Sequence, residues 1–199
     1  MYASSCQADF RKEYSGTDGA ITISVSSQGE QQVSALTMTS KEKAVFFLMH
    51  IPYGIEKMSG EIEGLVETSN NIGVLRIEDG MLCASCGIRS SVGSAKLYVS
   101  EKIQYLTEFL GGEYTVMGDY PAWEYKKDSV LRELMADTYR ELFGKEASVK
   151  AIHAGLECGL FYDKIPGLDC VSFGPSMQDI HTTEEKLSIS STARMWEYL

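Results

Sequence analysis

Histidine is scarce in this 199-residue chain, with three copies, and no cluster of lysine or arginine stands out against a formal charge of -10. A surface of that sign repels phosphate backbones, which argues against nucleic acid as a partner and equally against an anionic membrane. Long apolar runs are missing too: the longest, AVFFLMHIP, falls well short of the ~20 residues that a membrane span needs, and it ends in proline. The opening residues, MYASSCQADFRKEY, lack the basic head and hydrophobic core of a secretion signal, so the cytoplasm is the expected compartment. Disulfides are not expected. Five cysteines are an odd number, scattered through a chain long enough to need no stapling, which indicates reduced thiols. Cys83 and Cys86 have zinc-like or redox-like spacing, but in the alternating run MLCASCGIRSS they point to opposite faces of a strand, and the helix start that accompanies a redox pair is absent.

What is present suits a folded protein of one ordinary domain or two small ones, with 44% hydrophobic and 23% charged residues. Residues 1–19 are polar and read as irregular, with SGTDG as a turn, and the alternating, β-branched AITISVSS predicts a strand over 20–26. Thr39 and Glu42 form a capping-box pattern before Ala44, Val45, Leu48 and Met49, which predicts a helix over 40–50 stopped by Pro52 and Gly54. LVETSNNIGVLRI and MLCASCGIRSS read as two long strands joined at Asp79-Gly80, with Arg89 on the more polar face. Val99, Ile103, Leu106 and Leu110 recur at helical spacing before Gly111-Gly112, giving a helix over 94–110, and EYTVMGDY follows as a strand. This part is an α+β arrangement with one antiparallel sheet.

Composition changes at DYPAWEYKKDS, a connector suited to a domain crossing. Beyond it Leu131, Leu134, Met135, Thr138 and Leu142 line a helix closed by Gly144. SVKAI and DCVSFG read as short buried strands, and LECGLFYD as the start of a short helix. The alternation suits the margin of a parallel α/β sheet, yet the piece is too small to be a complete domain.

His50, at a helix end, has the plain reading of a solvated or capping side chain. His153 precedes Gly155 and a helix start whose backbone amides suit an anionic or carbonyl oxygen, and a bland polar turn explains the same residues. Cys158 in the first helical turn, paired with His153, would make a nucleophile, but no third, orienting residue is identifiable. His181 stands in a loop with Asp179, Glu184 and Glu185, a plausible divalent-metal environment and equally a solvated helix start.

Several stretches in order and spacing, GLVETSNNIGVL, IRSSV, FLGGEYTVMGDYPAWEYKKDS, IHAGLECGLF and VSFGPSMQDIHTTEEKLSISS, resemble the C-terminal half of the aminoacyl-histidine dipeptidases. These Xaa-His, cytosolic carnosinase-like enzymes are a branch of the two-zinc aminopeptidases and carboxypeptidases. The resemblance implies that residues 1–118 are the later part of an inserted lid, and 119–199 the returning tail of a catalytic domain. It implies that His181 is a zinc ligand, that Arg89 reaches the carboxylate of a dipeptide substrate, and that Gly155 to Cys158 form a pocket turn with Glu157 its polar member. The family's histidine-x-aspartate motif, bridging aspartate and glutamate pair have no counterpart here, and Thr183 stands where proline is usual. The resemblance thus implies one part of a zinc-dependent dipeptidase, inactive by itself and able to dimerise through the lid. A non-catalytic binding or dimerisation module derived from the lid is the alternative.

Overall fold

The computed structural model describes residues 2–199. The chain divides into two compact units, Met1–Thr39 and Ser40–Leu199. In the first, the residues expected to be irregular form helix α1 (Tyr2–Glu13), whose last turn carries Arg11 and Lys12 where the helix dipole favours cations. The strand expected over 20–26 does not form. That segment is tied to α1 instead, by Arg11 Nε donating to Ile21 O at 2.7 Å and Ile23 N donating to Gln7 Oε1 at 2.8 Å. A β-rich sequence stays irregular when no second strand offers it a ladder.

The second unit is built on a three-stranded antiparallel sheet in the order β1-β2-β3. Helix α2 (Met38–His50) leads into it, through Pro52, to β1 (Gly54–Met58), a strand not foreseen in the sequence because five residues beside a proline carry almost no periodic signal. β2 (Val66–Glu78) and β3 (Met81–Ser90) are the expected hairpin. Their turn works because Asp79 and Gly80 both take positive φ, 51° and 78°, as a tight two-residue connection requires. Pairing passes from Ile72↔Cys86 to Val74↔Ser85, which leaves Gly73 as an extra residue and bends β2.

Helix α3 (Gly93–Phe109) lies on one face of the sheet. Val99 and Ile103 from α3 and Ile51 after α2 are buried, with Phe47, Ile72, Cys86, Ile88, Leu106 and Tyr114 packed around them. Buried polar side chains of β2 are tied down in the same region, with Asn70 Oδ1 the one buried polar side-chain atom among the described residues left without a hydrogen-bond partner. Asn70 Nδ2 donates to the Pro52 carbonyl at 2.6 Å, and the Thr68 and Ser90 hydroxyls meet at 2.9 Å. The expected strand over 113–120 does not join the sheet. Tyr114 turns its hydroxyl to Ser100 on α3 at 2.7 Å, and Lys96 Nζ donates to Asp119 Oδ1 at 2.6 Å and to the Tyr120 carbonyl, so this stretch is bound to the helix rather than to a ladder.

Beyond the connector, α4 (Val130–Phe143) begins at Ser129, whose hydroxyl accepts from Arg132 N at 3.1 Å, and closes on Gly144 at φ 62°. α5 (Glu157–Lys164), a minimal hairpin of β4 (Met177–Gln178) and β5 (Lys186–Leu187), and α6 (Ile189–Tyr198) complete the chain. Tyr198 donates to the Met135 carbonyl at 2.6 Å and packs edge-on to Tyr139 and Phe173, joining α6 to α4. The expected strands SVKAI and DCVSF are unpaired among the described residues, and Val149, Ile152 and Phe173 are exposed. A parallel strand is stable only with neighbours that bury both of its faces, and none is offered here. The class is α+β, as expected, but the parallel α/β sheet margin is not formed. No helix of the described residues is long and apolar enough to cross a membrane.

Candidate functional site

Strand alternation turns Arg89 away from the Cys86 and Ile88 face that packs on α3, and toward a cavity of about 1070 Å³. The mouth of the hairpin, the Tyr120–Lys126 connector, the 147–156 and 168–174 segments and α6 enclose it. Five basic side chains line it, Arg89 and Lys150 among them, against three carboxylates, Glu63, Glu124 and Asp169. Its sign is therefore opposite to the chain's net charge of -10. An anionic ligand repelled by the outer surface is favoured inside.

His153 enters the same cavity wall and is fastened to the sheet, its Nε2 lying 2.7 Å from Ser69 Oγ. Ser69 is the direct cross-strand partner of Arg89. Opposed residues of an antiparallel pair project from the same face, so Ser69, Arg89 and His153 form one constellation. Burial holds the imidazole below its ordinary range, the charge of Arg89 adds to this, and hydrogen bonding to the Val66 main chain works in the other direction.

Gly155 lines the cavity under the ring of Tyr120, so close that a Cβ would stand 2.3–2.4 Å from Cε2, Cζ and Oη. Gly159, inside α5, meets the Pro121 carbonyl at 3.0 Å and Trp123 Cβ at 3.4 Å by the same measure. The connector thus lies across the turn, and both glycines are there to let it approach.

Glu157, by contrast, does not line the cavity. It is an exposed side chain in the first turn of α5, where a carboxylate favours the helix dipole. Cys158 and His153 form no nucleophilic pair. The His153 nitrogen is held by Ser69, and the Cys158 thiol is pushed up by burial first, then by Cys170 and Glu157, which disfavours a thiolate. All five cysteines are free, as expected. His50 caps its own helix, with Nδ1 2.8 Å from the Phe46 carbonyl and the ring stacked on Phe46.

His181 lies apart from this cavity, exposed in the loop between β4 and β5, with φ at 67° and its N–H donating to Glu185 Oε2 at 2.9 Å. Among the described residues no group of three or more histidine, cysteine, aspartate or glutamate side chains could hold a metal ion. The donors of this chain alone therefore do not fit a two-zinc centre.

Two residues escaped the sequence reading. Ser69 gave no signal because its partner stands 84 residues away. Asp169, read only as part of a strand, carries the N-terminus of α4: it accepts from Ser129 Oγ at 2.8 Å and Leu131 N at 3.0 Å. Those two bonds, and secondarily Lys126 and Arg132, hold its carboxyl below the usual range.

The fold is one found in peptidases. Aminopeptidase PepT from Bacillus cereus superposes with a TM-score of 0.58 over 80% of this chain and 43% of its own, at 19% identity, a likeness of fold alone. The aminoacylhistidine dipeptidase from Vibrio alginolyticus is more similar, with a TM-score of 0.75, 29% identity, and 98% of this chain matched to 42% of that one. In sequence, the cytosol non-specific dipeptidase of Escherichia coli (strain K12) is 36% identical over 166 residues, which is 83% of this chain and 34% of the relative. No protein-family model matches. The chain is a homologue of part of these dipeptidases, and it spans about a third of the length of the curated relative it matches.

Proposed function

We propose that this chain forms the carboxylate-recognising wall of a zinc-dependent dipeptidase acting on Xaa-His substrates. The observation that carries the reading is the gathering of Arg89, His153 and Gly155 around one cavity whose sign is opposite to that of the chain. A guanidinium presents a fork of donors matched to a carboxylate, and the excess of basic over acidic side chains lining the cavity favours an anion there. On this reading residues 1–118 are lid-derived and 119–199 are a catalytic-domain tail. His181 donates one ligand to a zinc centre whose other ligands and general base come from residues other than these. Glu157 serves at the rim of the pocket turn, and the setting is the cytoplasm.

Because the donors here do not make a metal centre by themselves, this chain alone turns over no peptide. A zinc-supplemented assay of the full 199-residue chain with a Xaa-His dipeptide tests this. No hydrolysis above background is expected, and turnover abolished by His181→Ala would overturn it. In the same solution, calorimetry should register binding of the dipeptide that Arg89→Gln weakens roughly tenfold or more, the usual worth of a charge-assisted pair.

A second reading, a dimerising module, is favoured by the far end of the hairpin. Leu75, Ile77 and Met81 are 46%, 60% and 64% exposed. The outer edge of β3 has no strand partner among the described residues. Ile77→Lys should convert a dimer to monomer in sedimentation velocity, and a wild-type chain that stays monomeric at all concentrations would end this reading.

A further inference from the structure

The hydrogen bond between His153 and Ser69 plays no part in a carboxylate's contact with Arg89. It joins two distant parts of the second unit, the 150–156 segment and the first half of β2, at the residue that faces Arg89 across the ladder. A polar turn that needed only solvent would not place a half-buried imidazole beside a guanidinium, since each cation there raises the cost of the other. Among the described residues, Arg89 is the charged group whose field disfavours the imidazolium. The other groups that act on it are the Ser69 hydroxyl and the Val66 main chain, both on β2. With the ring neutral, His153 adds no second charge beside Arg89, and the clasp to β2 holds the Gly155 turn in place.

We propose that His153 is the positioning partner of Arg89, and that a carboxylate seated on the guanidinium draws a proton from solvent onto the His153 ring. The physical reason is linkage. An anion beside Arg89 cancels the repulsion that disfavours the imidazolium, and a ligand that favours one protonation state over the other must shift that equilibrium as it binds. The bound state then holds the carboxylate between two cations, and the selectivity is for an anion-ended ligand over its amide. This rests on the reading of Arg89 as a carboxylate-binding residue, which it deepens by adding the residue that senses occupancy.

The test uses the full chain and N-acetylglycine, a monoanion with no group of its own titrating near neutral pH. Calorimetry between pH 5.5 and 7, about the ordinary histidine range, in two buffers of unlike ionisation enthalpy, should show proton uptake on binding. N-acetylglycinamide should bind at least roughly tenfold more weakly. His153→Gln, which keeps a side chain able to bond Ser69 but does not titrate, should bind the anion with no proton uptake. Uptake unchanged in His153→Gln, with binding lost in Arg89→Gln, would overturn the role of His153 while leaving that of Arg89 standing. Binding unchanged in Arg89→Gln would overturn both.

A second measurement needs no ligand. With three histidines in the chain, each imidazole can be assigned by substitution and titrated by NMR. The His153 resonance should titrate below the ordinary histidine value and move up in Arg89→Gln. A His153 titration that does not respond to Arg89→Gln would sink the inference, whatever the calorimetry shows.

Discussion

Substituting Gly155 by alanine is the sharpest test of how the connector and the pocket turn fit together. The added Cβ would lie 2.3–2.4 Å from two ring carbons and the hydroxyl oxygen of Tyr120, a separation no non-bonded pair sustains, so the side chain must leave. Tyr120 is 43% exposed, and an outward rotation is open to it. That rotation forfeits the contact of Lys96 Nζ with the ring, at 5.8 Å from its centroid, worth about 0.5–1 kcal/mol at such a site. Were the ring to stay and the turn to move instead, the cost would be the ~1–3 kcal/mol typical of overpacking. The expected destabilisation in urea unfolding is therefore about 1 kcal/mol, or a fall in melting temperature of about 2–4 °C for a chain of this size. The decisive comparison is the same substitution in a Tyr120→Ala background, where the penalty should shrink to less than about 0.5 kcal/mol. An equal penalty in both backgrounds would refute the steric argument. Gly159→Ala serves as the contrast: its Cβ meets the Pro121 carbonyl at 3.0 Å, and removing the Tyr120 ring should not relieve it.

Val99, only 2% exposed at the centre of the α3–sheet contact, should cost about 2 kcal/mol on truncation to alanine, measured by the urea midpoint at unchanged slope. Amide exchange should protect 66–90 more than 149–173, because the first is a paired ladder and the second lacks one, and the reverse order would contradict the unpaired state of SVKAI and DCVSF. Acid should destabilise the chain in two steps. The His153 ring is held below its ordinary range in the folded state, so its contribution is complete above about pH 6.5 and is lost as pH falls below that value. The Asp169 carboxyl is likewise held low, so its contribution persists until pH falls through the ordinary carboxylate range. Melting temperature followed from pH 7.5 downward should lose the first step in His153→Gln and the second in Asp169→Asn; a pH profile identical to wild type in either variant removes that group from the account.

The elements read correctly from the sequence share a cause. Asp79-Gly80 dictates its own backbone, since few other pairs tolerate two positive φ values in succession, and the hairpin follows from it. Helix α3, with three apolar residues at helical spacing, a fourth at its C-cap and a glycine pair behind them, needs no distant partner to declare itself. The misread segments are the ones whose state depends on a neighbour. AITISVSS, EYTVMGDY, SVKAI and DCVSF all have strand-like composition, and among the described residues none finds a ladder. β1 shows the converse, five residues of little pattern made into a strand because β2 stands beside them.

The same division holds at the candidate site. The face that Arg89 occupies was legible, because alternation along a strand decides the face from local sequence alone, and so was the turn of Gly155 to Cys158 before a helix start, because glycine punctuates the run there. What approached was not legible. Tyr120 over Gly155, and Ser69 beside His153, join residues far apart in the chain, and a bond of 2.7 Å across 84 residues leaves no trace in spacing or composition. The sequence by itself determined the hairpin, helices α2 to α5 and the polar face that carries Arg89, since each follows from the dihedral preferences and periodicity of a few successive residues. Only the tertiary structure decided that His153 belongs with Arg89 and that His181 stands apart from both, because electrostatic fields and hydrogen bonds act through space rather than along the chain.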